Sequence, residues 1–204
     1  LDAAGVPHSG NQELYVWEIG GHKIGFGGCR ETNFLANKAL VYRDIQQLKK
    51  LGCDVIIYSC HWGKEYSPTR NKTQERMAQY AVNSGADIVV GTHPHVVQGV
   101  ESRRNSKDTH SALVLYSLGN LVFGGTHDMQ TFDAVLARVT LRFDDGGAYQ
   151  GAALRLLPVL TSGSAPENDF RPVLAEGDDA ARILALAQAD SQVDVSGEMW
   201  FPAK

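Results

Sequence analysis

The sequence predicts an α/β protein built as a layered sheet sandwich with flanking helices. Three observations carry that expectation. Apolar strand-like runs alternate with helical stretches through the first two thirds. Two of those helix–strand units repeat one pattern, LKKLGCDVIIYSCH beside AVNSGADIVVGTHPH. The last third then holds two long β-rich runs around a tight polar turn. Strands alternating with helices imply βαβ connections and a parallel sheet, whereas a long hairpin implies a second, antiparallel layer.

In chain order, Leu1–Ala4 followed by Gly5 reads as the end of a helix with its C-cap, so a segment upstream is expected. ELYVWEI (13–19) and HKIGFGG (22–28) are strand-like runs joined by Gly20-Gly21, a hairpin signal. A helix is predicted from about Ala36 to Leu51, with Leu40, Ile45, Leu48 and Leu51 at helical spacing and Gly52 closing it. DVIIYSC (54–60) is a continuous apolar strand. Lys72 to Ser84 is a second helix closed by Gly85, and DIVVG (87–91) a second buried strand. ALVLYS (112–117) is a third strand after a polar loop. FDAVLARVTLRF (132–143) and YQGAALRLLPVL (149–160) flank Asp144-Asp145-Gly146-Gly147 as a long antiparallel hairpin. A Pro/Gly/Ser-rich loop (158–172) and a helix over 177–190 follow, and the tail after Ser191 carries no signal. No linker divides the chain, so residues 1–204 are expected to form one domain.

The composition sets bounds. At 204 residues the chain is long enough to bury a sizeable core, and 43% hydrophobic with 21% charged residues is ordinary for a globular protein. A net charge of −4 argues against a nucleic-acid footprint. The one dense basic run, Arg103-Arg104 with Lys107, reads as a solvated loop. No apolar segment reaches the roughly 18–20 residues needed to cross a bilayer, and no signal pattern opens the chain. Cys29, Cys53 and Cys60 are too few, and odd in number, for a disulfide scaffold.

The chemistry-bearing residues gather after strands. In GTHPH, His93 and His95 follow a buried strand in a loop that lets both imidazoles turn toward one point; Pro94 fixes the backbone between them and Gly91 permits a tight exit. Neutral imidazole suits Zn, Mn, Fe and related ions. His61, in CHWGKEY, occupies the equivalent place after the neighbouring strand. Two adjacent parallel strands thus deliver three histidines to the sheet edge where open α/β folds bind ligands. Glu65, four residues on, can be a ligand, an orienter of an imidazole or a general base. A Cys60–His61 nucleophile pair is disfavoured because strand neighbours point to opposite faces. His8, His22 and His110 lack ligand-like context, and His127-Asp128 reads as a surface loop.

The segment VIIYSCHWGKEYSPTRNKTQERMAQYAVNSGADIVVGTHPHVVQGVE, followed by LVLYSLGNLVFGG and later NDFRPVLAEG, resembles the bacterial capsule-synthesis CapA family. That family, also called PGA_cap (poly-γ-glutamate capsule), resembles calcineurin-like metallophosphoesterases, and the match runs from about Leu1 to Glu176. The resemblance implies that His61 is an isolated histidine ligand. It makes His93 and His95 paired ligands, one leaning on each ion of a two-metal centre of Mn, Zn or Fe. Ser117 and Asn120 fall in a family motif, and with Glu65, Asn120 is a candidate catalytic residue. The implied activity is hydrolysis of an ester or amide at the cell envelope, on an acidic polymer such as poly-γ-glutamate or on a phosphoester. A non-catalytic polymer-binding or synthase-assembly module and a small-molecule phosphoesterase are the rival readings.

Family members also carry N-terminal strands with an early Asp, a Gly-Asp motif and an Asn-x-Glu or Asn-His motif. Asp2, Asn11 and Glu13 do not sit in such contexts. The expectation is therefore a C-terminal portion with an incomplete site, inactive alone, whose bared strand edge favours dimerisation or strand exchange.

Overall fold

The structure is a computed structural model and describes residues 1–124 and 131–203. His127 and Asp128 lie outside the described residues. After a 3₁₀ turn, Asp2–Ala4, closed by Gly5 at φ 63°, come strands β1 (Tyr15–Ile19) and β2 (His22–Arg30). Helices α1 (Glu31–Ala36) and α2 (Ala39–Lys50) precede β3 (Val55–His61). Helix α3 (Lys72–Ser84) leads to β4 (Ile88–Thr92), β5 (Val100–Arg104) and β6 (Ser111–Leu115). Strands β7 (Asp133–Phe143), β8 (Tyr149–Leu160) and β9 (Val173–Leu174) follow, then α4 (Gly177–Ala189) and β10 (Met199–Pro202).

The expected α/β sandwich is what forms. A six-stranded sheet runs β1-β2-β3-β4-β6-β5, and a second sheet has β7, β8 and β10 with β9 beside β8. Strands β2, β3, β4 and β6 are parallel; β1 and β5 close the edges antiparallel. Side chains alternate across the first sheet. Ile56, Tyr58, Val89, Val114 and Tyr116 pack with α2 and α3 residues in one buried cluster. Ile88, Leu113 and Leu115 point the other way, into a cluster with Val135, Leu154 and Leu156 of the second sheet and Ile183 of α4.

The repeated Gly-x-Asp motif has a structural purpose. Gly52 and Gly85 end their helices at φ 79° and 103°, a region that costs other residues a Cβ clash. Each Asp then binds the preceding strand: Asp54 Oδ2 accepts from the Lys23 amide, and Asp87 Oδ2 from the Ile56 amide, each at 2.8 Å. These bonds fix the register that sets His61 beside the loop following β4.

The structure departs from expectation in three places. The helix expected from about Ala36 to Leu51 forms as α2 from Ala39, and a further short helix, α1, precedes it; the two part at Asn37 (φ −156°), whose Oδ1 accepts the Ala39 amide at 3.2 Å, the kind of side-chain competition for helical donors that Asn offers. The polar stretch before β6 contains β5, and the Arg103-Arg104 run is no solvated loop. Arg103 binds Glu101, which is 1% exposed, and reaches the Tyr116 hydroxyl at 3.2 Å. Glu101 and Arg103 face inward as a pair, whereas Arg104, 57% exposed, pairs with Asp108 at the surface. Finally, β10 in the tail extends the second sheet, with Phe201 opposite Ala152.

Candidate metal centre

His61 ends β3 and is paired in register with Arg30 on one side and Thr92 on the other. His93 and His95 follow at once in the loop after β4. The ring centroids of His61 and His93 are 4.4 Å apart, and those of His93 and His95 5.9 Å. Glu65 closes the group, with its Oε1 4.0 Å from His93 Nδ1. Potential ligand atoms of Glu65, His93 and His95 all lie within 4.8 Å of one another. His61 sits outside that tightest set but against it.

The loop is held under backbone strain. His93 and His95 adopt φ 98° and 61°, and Tyr66 across from them 57°. Non-glycine residues in this region cost about 1–3 kcal/mol each and persist where surroundings over-determine them. Here the Tyr66 amide donates to the Pro94 carbonyl at 2.7 Å. Below it, the buried Gln74 and Gln98 link in series: Gln74 Nε2 donates to Gln98 Oε1 at 2.8 Å, and Gln98 Nε2 to the Ser67 carbonyl at 2.9 Å. The loop carrying Glu65 is thereby tied to the histidine loop.

Gly91 acts differently from the expected tight exit. A Cβ there would lie 2.0 Å from the Tyr116 carbonyl oxygen and 2.3 Å from Trp62 Nε1. Glycine is required because Trp62, fully buried, lies over this spot and donates to that same carbonyl at 2.9 Å. Packing of Trp62 against Tyr116, ring centroids 5.5 Å apart, thus positions His61 from beneath.

Asn120 enters through its side chain. His95 Nδ1 lies 2.7 Å from Asn120 Oδ1. An amide oxygen only accepts, so Nδ1 carries the proton and Nε2 keeps its lone pair for a cation. Gly119 (φ 75°) makes the turn; a Cβ on it would meet the Asp133 carbonyl at 2.6 Å. Ser117, 2% exposed, accepts the Gly119 amide at 3.4 Å and does not reach the histidines. Burial first, then His93, Arg30 and His95, hold the His61 imidazole below its ordinary range against an opposing pull from Glu65. His61 is therefore the more readily neutral, the form a metal needs.

The remaining candidates separate from this edge. Cys60 is 2% exposed in the helix-side core, and a hydrogen bond to Cys29 together with burial pushes its thiol well above the usual range, the opposite of an activated nucleophile. His22 stacks on Phe143, and His110 lies 2.8 Å from the Ala86 carbonyl.

The donor chemistry fits a divalent cation: neutral imidazoles with one carboxylate. Tetrahedral ligands at about 2.0–2.1 Å from zinc sit about 3.3–3.5 Å apart, so small side-chain rotations from the 4.8 Å spread suffice for Glu65, His93 and His95.

The site residues fall inside a family match. The model of the family described as bacterial capsule synthesis protein PGA_cap matches residues 1–125, short of the span to Glu176 expected from the motifs. Over 102 residues the chain is 39% identical to a Bacillus anthracis protein named capsule biosynthesis protein CapA, covering 49% of this chain and 22% of that one. Over 108 residues it is 34% identical to the PGA biosynthesis protein CapA of Bacillus subtilis (strain 168), covering 52% of this chain and 26% of the other. The chain thus spans about a quarter of the length of these relatives. With the family model covering more than half of its residues, the chain belongs to the bacterial capsule synthesis protein PGA_cap family.

Proposed function

We propose that this protein works in synthesis or processing of capsule or poly-γ-glutamate, as a metal-dependent hydrolase of metallophosphoesterase type at the cell envelope. One observation carries the reading: His61, His93 and His95 converge with Glu65 at the C-terminal edge of the parallel strands. Names of the two relatives give the polymer context. No helix among the described residues is long and apolar enough to cross a membrane.

In this reading His93, His95 and Glu65 hold a divalent cation, Mn, Zn or Fe. His61 lies beside this set as a donor toward a second ion. A bound divalent ion supplies Lewis-acid polarisation of a phosphoryl or acyl oxygen. The chain's own residues do the rest. Asn120 fixes the His95 tautomer, and Gln74 and Gln98 hold the loop that carries Glu65. The Glu65 carboxylate, 55% exposed, can accept a proton from an incoming water.

A second reading, a non-catalytic module that grips an acidic polymer or supports a synthase, is favoured by one observation. The donor cluster among the described residues contains a single carboxylate, Glu65, whereas paired divalent ions are usually bridged by one and balanced by others. The test uses the full-length protein with a phosphodiester, a phosphomonoester and poly-γ-glutamate, each with and without chelator. Chelator-sensitive turnover of any of them supports the hydrolase. No turnover, with polymer binding that survives chelation, replaces it with the binding module.

A further inference from the structure

Beside the histidines lies an open cleft of about 300 Å³ lined by Arg30, Glu31, Thr32, His61, Gly63 and His93. Arg30 is exposed at the end of β2, directly opposite His61 in register. It also lines the smaller cleft, about 170 Å³, on the other flank of His61. Among the described residues its guanidinium makes no hydrogen bond or ion pair. Glu31, on the same wall, does not pair with it: its Oε2 accepts the Gly63 amide at 2.8 Å. Arg43, Arg70, Arg103, Arg104, Arg142 and Arg182 each pair with a carboxylate; among the described residues Arg76, Arg138, Arg155 and Arg171 do not, so what sets Arg30 apart is its place opposite His61 in the cleft.

We propose that Arg30 is the anion-binding residue of this site, receiving a carboxylate or phosphate group of the substrate in the cleft it shares with His61 and His93. The inference rests on the reading of that edge as the functional site, and deepens it by naming the residue that receives the anionic group. The physical case is the planar donor fork. A guanidinium makes two parallel hydrogen bonds to a carboxylate or phosphate, and one left without a protein acceptor beside three imidazoles is free to take an external one. Thr32 adds a hydroxyl on the same wall. The site then presents two distinct grips: imidazoles and Glu65 toward a cation, and Arg30 toward the anionic group of the substrate.

The test is calorimetric titration of the chelator-stripped chain with inorganic phosphate and, separately, with γ-glutamylglutamate, on wild type, R30Q and R30K. Wild type binds at least one of them; R30Q binds it about tenfold to a hundredfold more weakly, and R30K falls between because it keeps the charge and loses the fork. The preferred probe separates a phosphoester site from a γ-glutamyl site. Thermal unfolding accompanies each titration, and R30K decides the matter if R30Q is poorly folded. Equal affinity in wild type and folded variants, or no binding of either anion to wild type, overturns the proposal. Mn²⁺ uptake is measured in parallel. Arg30-dependent anion binding without metal uptake leaves this inference standing and removes the metal reading; metal uptake with Arg30-independent anion binding does the reverse.

Discussion

Replacing Gly91 with alanine puts a methyl carbon 2.0 Å from the Tyr116 carbonyl oxygen and 2.3 Å from Trp62 Nε1. Neither neighbour yields easily: the carbonyl belongs to the backbone just past β6, and Trp62 is fully buried. Forcing extra volume into a packed core costs about 1–3 kcal/mol. If the indole swings aside, its N–H loses its 2.9 Å bond to Tyr116, and a buried donor left unpaired costs about 1–3 kcal/mol more. The sum is about 2–6 kcal/mol, a large part of the roughly 5–15 kcal/mol that stabilises a typical domain. At about 2–4 °C per kcal/mol for a chain of this size, the midpoint falls by roughly 4–24 °C. Urea unfolding followed by tryptophan fluorescence measures this cleanly. Trp17 and Trp200 are each 46% exposed, so the blue-shifted emission comes from Trp62. Because Trp62 adjoins His61 and Gly91 precedes His93 by two residues, the variant should also bind metal more weakly. A G91A protein within about 1 kcal/mol of wild type, its emission unchanged, would show that the close packing does not govern this loop.

Three further outcomes follow from named contacts. Asn120→Leu removes the acceptor that orients His95, so affinity for Zn²⁺ should fall about ten- to hundredfold with little change in fold; unchanged affinity in a metal titration would remove Asn120 from the site. Asp87 is pushed up to about 6 by burial, so its protonated form is the better tolerated one. The stability it confers is full below the ordinary carboxylate range, near 3.9, and declines as pH rises through about 6. The stability of wild type relative to D87N should shrink over that window, and a difference flat from pH 4 to 7 would contradict the assignment. The outer edge of β1 has no strand partner among the described residues, and Trp17 and Ile19 are 46% and 49% exposed on it. Concentration-dependent association in sedimentation, weakened by Ile19→Lys, is expected; a monomer at all concentrations speaks against it.

Much of this site was legible because its signals are local. The apolar runs ending in His61 and preceding His93 could only be neighbouring parallel strands, and that adjacency brought the imidazoles together. The repeated Asp54 and Asp87 were visible as a pattern, but their bonds to the Lys23 and Ile56 amides depend on strand order, which no local window contains. The need for glycine at 91 is not readable locally, since the residues crowding it, Trp62 and Tyr116, are distant in sequence. β5 was hidden because its inward charges, Glu101 and Arg103, neutralise each other across a fold-dependent contact. The capping box of α3, Asn71 with Gln74, is readable from spacing. That Gln74 also braces Gln98 beneath the histidine loop is not. A lone arginine at a strand end, such as Arg30, carries no sequence signal; its place opposite His61 depends on the pairing of β2 with β3.

The central claim, that His61, His93, His95 and Glu65 form one cation-binding cluster, is tested most directly by calorimetric Zn²⁺ titration of the chelator-stripped chain. Wild type is compared with H61A, H93A, H95A and E65Q, each checked for fold by circular dichroism. The account predicts saturable binding by wild type, a loss of at least about tenfold in H93A, H95A and E65Q because each removes a direct donor or the one carboxylate charge of the set, and a smaller loss in H61A. Folded variants that all bind Zn²⁺ as tightly as wild type, or a wild-type chain that takes up none, would contradict it.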